Sequence, residues 1–127
     1  MWFMMIKNTV AVAALAFALT AGLSSPAFSA ENLSAEVDLT IKEDLASVQV
    51  LTEVCPGIVG KNAKFEQNAQ QLIKQYLSDY SDKSMTYDKI QQDKEYQSAL
   101  QEARQEAKQT AKDEHQAVCN DLITQQI

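Results

Sequence analysis

Residues 54–60 read VCPGIVG, and the reading of that stretch decides the fold. Cys55 ends a run in which Ile41, Leu45, Val48, Leu51 and Cys55 recur at spacings of four, three, three and four, the period of one helical face. Proline disfavours helical geometry in the residue before it, and Pro-Gly opens turns. The spacing therefore predicts a first helix over 41–54, frayed at Cys55 and followed by a turn. The stretch TIKE at 40–43 has the form of a capping box, which would start that helix at Thr40 with Glu43 answering it.

Cys55 has no second cysteine at redox-motif distance: CPGI lacks the closing residue of C-x-x-C. The other cysteine of the chain is Cys119. Which chemistry joins them depends on the compartment. Residues 1–30 have the order of a secretory leader: one basic charge at Lys7, an uncharged run from Thr9 to Leu23, Pro26, then AFSA with small residues at its end. That apolar run is shorter than the roughly 18 to 20 residues of a spanning helix. Cleavage after Ala30 is expected, giving a periplasmic protein, with release from the cell as a further outcome.

In an oxidising compartment two cysteines predict a Cys55–Cys119 disulfide. Closing a loop of about 65 residues is worth roughly 4 kcal/mol on the chain-entropy account, comparable with the net stability of a small domain. The competing readings are a bridge between molecules and a metal site of both cysteines, His115 and a carboxylate. The bridge would consume the thiolates that the metal site needs.

Residues 31–39 show no sustained period and are expected to form a loose N-terminal arm, leaving 40–127 as a single helical domain. A second helix, capped by Asn62, carries a wide apolar stripe of Phe65, Ala69, Leu72, Ile73, Tyr76, Leu77 and Tyr80. SDYSDKS reads as a loop. A short helix at 87–91 and an N-cap at Asp93 precede a segment, Lys94 to about Thr124, whose composition favours one continuous helix. On it Tyr96, Leu100, Ala103, Ala107, Ala111, Val118 and Leu122 cluster on one face. The alanines form a shallow ridge that a neighbouring helix could approach. Together these predict an all-α fold: a small antiparallel bundle of three to four helices stapled by one disulfide.

The charges of the last segment are sorted. Arg104, Lys108 and Lys112 follow one another at four-residue intervals on one side, and Glu95, Glu102, Glu106 and Asp113 lie on the other. Such strips belong to a solvated face or meet acids on a neighbouring helix or subunit. His115 borders the apolar stripe, where a hydrogen bond to a carboxylate is expected. Arg104, Lys108, Lys112 and His115 are the candidate binding residues.

The chain holds 11 Lys+Arg against 17 Asp+Glu, a net charge of −6, and the predicted leader contains one of the basic residues and none of the acids. That sign argues against nucleic acid and against anionic membrane surfaces. No phosphate-cradling glycine loop, G-x-S-x-G or H-E-x-x-H is present. No enzyme activity, cofactor or metal is expected.

The segments LASVQVLTEVCPGIV (45–59) and HQAVCNDL (115–122) resemble a family of small exported proteins of the Gram-negative envelope, with a helix ending in V-C-P and a second cysteine near the C-terminus. The resemblance implies an envelope location and no activity. In architecture alone, the chain is also similar to small acid-stress chaperones of the bacterial periplasm. The expected function is a non-enzymatic helical module binding a protein or envelope component, with acid protection of clients as one version. The alternative is a structural or assembly subunit acting through self-association.

Overall fold

A computed structural model describes residues 30–126. The predicted leader, apart from Ala30, lies outside the described residues. Six helical segments follow one another: α1 (Ala30–Val54), α2 (Pro56–Val59), α3 (Ala63–Asp79), α4 (Tyr87–Ile90), α5 (Lys94–Gln109) and α6 (Lys112–Thr124), with no strand among the described residues. The fold is the all-α, disulfide-stapled bundle that the periodicity predicts.

The long helix α1 is its axis, packed against α5 and α3, while α6 packs on α2 and α3. Asp38 of α1 meets Ser81 just beyond α3, so α3 runs back along α1. Lys42 meets Asp93 and Glu53 meets Arg104, so α5 runs forward again beside it. One apolar cluster forms around Leu45, Ala46, Ile90, Tyr96 and Leu100. A second forms around Val48, Cys55, Phe65, Ala69, Cys119 and Leu122.

Two predicted caps are present. Asn62 Oδ1 accepts from the amides of Lys64 (2.9 Å) and Phe65 (3.1 Å), and Asp93 Oδ1 accepts from the Tyr96 amide at 2.9 Å. Each satisfies amides that a helix start leaves without partners. The stripe of α3 is buried or half-buried along its whole length.

The loose arm expected at 31–39 is instead helix, the exposed start of α1. Its Asp38 accepts from the Ser81 amide at 2.9 Å and from the Ser81 hydroxyl, which gives this segment a tertiary anchor without an apolar period. The capping box is accordingly absent: the Thr40 hydroxyl donates to Glu36 O at 3.1 Å, inside a helix already under way.

Cys55 also departs from expectation. It keeps helical geometry (φ −63°, ψ −38°), its amide donates to Leu51 O at 2.9 Å, and Pro56 opens the one-turn α2. Proline at a helix's first position has no amide to leave unpaired. Burial of Cys55 and its bridge outweigh the local preference of a residue before proline. Gly60 ends α2 at φ 78°, ψ 179°, a conformation nearly restricted to glycine.

The predicted continuous helix Lys94–Thr124 is broken. Thr110 and Ala111 are extended, with ψ of 134° and 149°. The break lets α6 turn across the end of the bundle and bring Cys119 to Cys55. It also resets the helical phase, so the alanine seam ends at Ala107. Ala99, Ala103 and Ala107 pack on the core, whereas Val118 is 45% exposed.

Candidate binding site

The site begins with what holds α5 against α1. Lys42 is 6% exposed, and its Nζ lies 3.2 Å from Asp93 Oδ1 and 3.6 Å from Glu95 Oε1. Burial pushes the Lys42 ammonium down, but Asp93, Tyr80 and Glu95 together hold its pKa above the ordinary value. Burial likewise pushes the Asp93 carboxyl up, and the Tyr96 amide and Lys42 outweigh it, leaving that pKa lowered. Two turns further along α1, Gln49 Oε1 accepts from Tyr87 Oη (3.1 Å), Gln91 Nε2 (3.0 Å) and Tyr96 Oη (2.5 Å). Burial raises the pKa of both phenols, so they stay protonated and donate.

Beyond Gln49, Arg104 grips Glu53 with two parallel bonds, Nε to Oε2 at 3.0 Å and Nη2 to Oε1 at 2.6 Å. This hydrogen bonding holds the Glu53 carboxyl below the usual carboxylate range. The sharper reading of the basic strip, contact with an acid on a neighbouring helix, thus holds for Arg104.

Past this pair the helices part. A groove of ≈ 550 Å³ opens between α1, α2 and α5, with Val50, Val54, Ile58 and Ala107 as its apolar surface and Arg104, Lys108, His115 and Glu53 among its polar lining. A shallower arm of ≈ 350 Å³ continues from Val50 and Ala107 along Leu51, Ala103 and Val118, bordered by Glu106 and Glu114. The two arms share Val50, Ala107 and His115.

His115 stands at the junction for a structural reason. Its Nε2 lies 2.7 Å from Ala107 O. The break at Thr110 leaves that carbonyl near the end of α5 without an onward helical amide, so the imidazole N–H donates to it. The predicted carboxylate partner of His115 is replaced by this backbone carbonyl, because the helix break creates an acceptor with prior need.

Of the four candidate residues, Arg104, Lys108 and His115 line one groove. Lys112 lies past the break, in the first turn of α6, and does not line it. The Cys55–Cys119 bridge is formed, with S–S 2.07 Å and Cα–Cα 5.6 Å, and both residues are fully buried. That removes the thiolates from any ligand set around His115. No group of three potential metal-ligating side chains occurs among the described residues.

Several residues of the site escaped the periodicity. Lys42, Ala46, Val50 and Glu53 form a second face of α1, at spacings of four, four and three, turned to α5. The apolar pair Ala46 and Val50, four residues apart and both buried in the structure, was its legible signal. Asn68 was hidden among exposed polar neighbours. It is 2% exposed, and its Nδ2 donates to Leu122 O (2.7 Å) and Gln125 O (3.0 Å) at the end of α6.

Residues 41–122 match the family described as Domain of unknown function (DUF7944). The chain belongs to this family. The DUF7944 match contains both cysteines, the Lys42 and Glu53 contacts, and every residue lining the two arms of the groove. The exposed first turns of α1 precede it. No curated protein and no solved structure matches the chain.

Proposed function

We propose that this DUF7944 protein is an exported, non-enzymatic module that binds a protein or envelope component in the groove between α1, α2 and α5. The carrying observation is the groove itself: an apolar surface beside polar and charged groups, the mixture that ligand sites use for affinity and orientation. Its walls are held by a disulfide at one end and a bidentate ion pair at the other, so the surface is formed before a ligand arrives. Export rests on the leader-like order of residues 1–30 and on the pairing of both cysteines. No helix among the described residues is long and apolar enough to cross a membrane.

The test is a photoreactive side chain placed at Lys108 in cells, with Gln67 on α3 as the control position. A discrete adduct at 108, absent at 67 and lost in Gly57→Leu, is expected. Equal labelling at both positions would remove the reading. Mass spectrometry of protein from the periplasmic fraction should give a chain starting at Glu31 and lacking the two hydrogens of the bridge.

Acid protection of client proteins is a second reading, favoured by the buried Lys42 and its two carboxylate partners. Protonating Asp93 would take away the nearer counter-ion of that ammonium, loosen α5 from α1 and uncover apolar faces. Light scattering from an acid-unfolded client should then fall when the oxidised protein is added at pH 3; undiminished scattering contradicts it. The assembly-subunit alternative keeps only a half-covered alanine seam, because Ala99, Ala103 and Ala107 pack partly buried against the core. It retains the exposed Leu33 and Val37 of α1, and sedimentation would show a concentration-dependent oligomer if it holds.

A further inference from the structure

We propose that the groove binds a monocarboxylate with an extended apolar tail, of the fatty-acid class, with its carboxylate at Lys108 and Arg104 and its tail along Val50 and Ala107. The inference rests on reading the groove as the binding site and adds the chemistry and direction of its occupant.

Opposite charges border the two arms. Arg104 and Lys108 line the larger arm, and Glu106 and Glu114 line the shallower one. The one acid of the larger arm, Glu53, is already paired with Arg104 through both of its oxygens. Guanidinium carries five N–H donors, and two are committed there, so others remain for a second carboxylate. No carboxylate among the described residues lies within ion-pair distance of the Lys108 ammonium. An anionic head therefore has one favourable place, beside Lys108 and Arg104, and is repelled from the arm bearing Glu106 and Glu114.

Between the two arms the shared surface is Val50 and Ala107, extended by Leu51, Ala103 and Val118. That strip can cover a hydrocarbon chain and offers it hydrophobic burial in proportion to the area removed from water. The larger arm's ≈ 550 Å³ falls within the few hundred to about 1,000 Å³ typical of small-ligand sites. Gly57 widens its wall: a Cβ built there meets no atom within 4 Å. A longer side chain at 57 would start from open space on the groove's lining, which provides a substitution at the site without a clash in the fold.

The experiment is calorimetric titration of the oxidised protein with dodecanoate, dodecanol and dodecyltrimethylammonium, each below its micellar concentration, at low salt. Dodecanoate should bind at least about tenfold more tightly than the other two. Gly57→Leu should weaken it by a similar factor while the unfolding curve stays in place, and Lys108→Glu should shift preference toward the cation. Equal affinity for all three probes, lost in Gly57→Leu, overturns the carboxylate assignment and leaves the groove as a site. Tighter binding of the cation overturns it as well, in favour of a ligand headed by an amine at Glu106 and Glu114. Absence of dodecanoate binding, or binding indifferent to Gly57→Leu, overturns the proposal outright. A Lys108-specific protein adduct in cells would then show that the binding-module reading survives with a different occupant.

Discussion

At its C-terminal end α1 is fastened by a covalent bond and by apolar packing around Phe65 and Leu122, in a region where the Asn68 amide also ties α3 to α6. Near its N-terminal end it is fastened by charge: Lys42 to Asp93 and Glu95, and Asp38 to Ser81. One helix thus joins a region whose main ties ignore pH to a region where an apolar cluster is reinforced by ties that depend on it. The groove opens toward the first region, where a ligand would meet walls that do not rearrange with protonation of a buried pair. The second region is where the bundle would open.

The largest expected effect lies at the covalent end. Reducing the bridge, or Cys55→Ser with Cys119→Ser, should lower unfolding stability in denaturant by roughly 4 kcal/mol for a loop of this length. An effect below 1 kcal/mol would mean that amides and packing alone hold this end.

Asp93→Ala comes next, because it removes the α5 cap and the counter-ion of a buried ammonium together. A loss of about 3 kcal/mol is expected. Lys42→Met, which removes the charge while keeping the volume, should cost far less. Equal losses would show that the ion pair itself, and not the stranding of a buried ammonium, carries the stabilisation.

At the other end, Asn68→Ala should cost about 1–3 kcal/mol, since it frees carbonyls of α6 in a buried setting. That loss should be the same at pH 7 and pH 4. Arg104→Ala is expected to have the smallest effect on unfolding, because its ion pair with Glu53 is exposed to water and salt.

The pH dependence separates the two ends further. At the charged end Asp93 has a depressed folded pKa, so its stabilisation is present above the unfolded carboxylate value near 4 and is lost as pH falls through the lower folded value. Lys42 has a raised one, so its contribution is complete below the unfolded lysine value of 10.5 and is lost as pH rises through the folded value. Stability at the charged end should therefore hold between about pH 4 and pH 10 and fall outside that window. In Asp93→Ala the acid limb should be shallower, which unfolding curves at pH 3 and pH 7 would measure.

The sequence was most legible where one local rule decided the outcome. Asn62 and Asp93 cap helices because their side chains reach nearby amides, and the α3 stripe follows from its period. The departures all have tertiary causes. Thr110 and Ala111 carry no proline or glycine, yet the helix breaks there so that Cys119 can reach Cys55. Residues 31–39 lack an apolar period but are anchored through Asp38. Lys42 reads as a surface lysine until α5 supplies Asp93. In the groove, Arg104, Lys108 and His115 were legible as a set, while Lys112 was lost to the same break that gave His115 its carbonyl partner.

Hydrogen exchange of the oxidised protein, begun at pH 7 and at pH 3, tests the contrast most directly once intrinsic rates are corrected. At pH 3 the amides of α5 and of residues 41–46 should lose protection first, while those around Asn68 and Cys119 keep theirs. Loss beginning in α6, or uniform loss across the bundle, would contradict a molecule with one end held by charge and the other by a bond that pH does not touch.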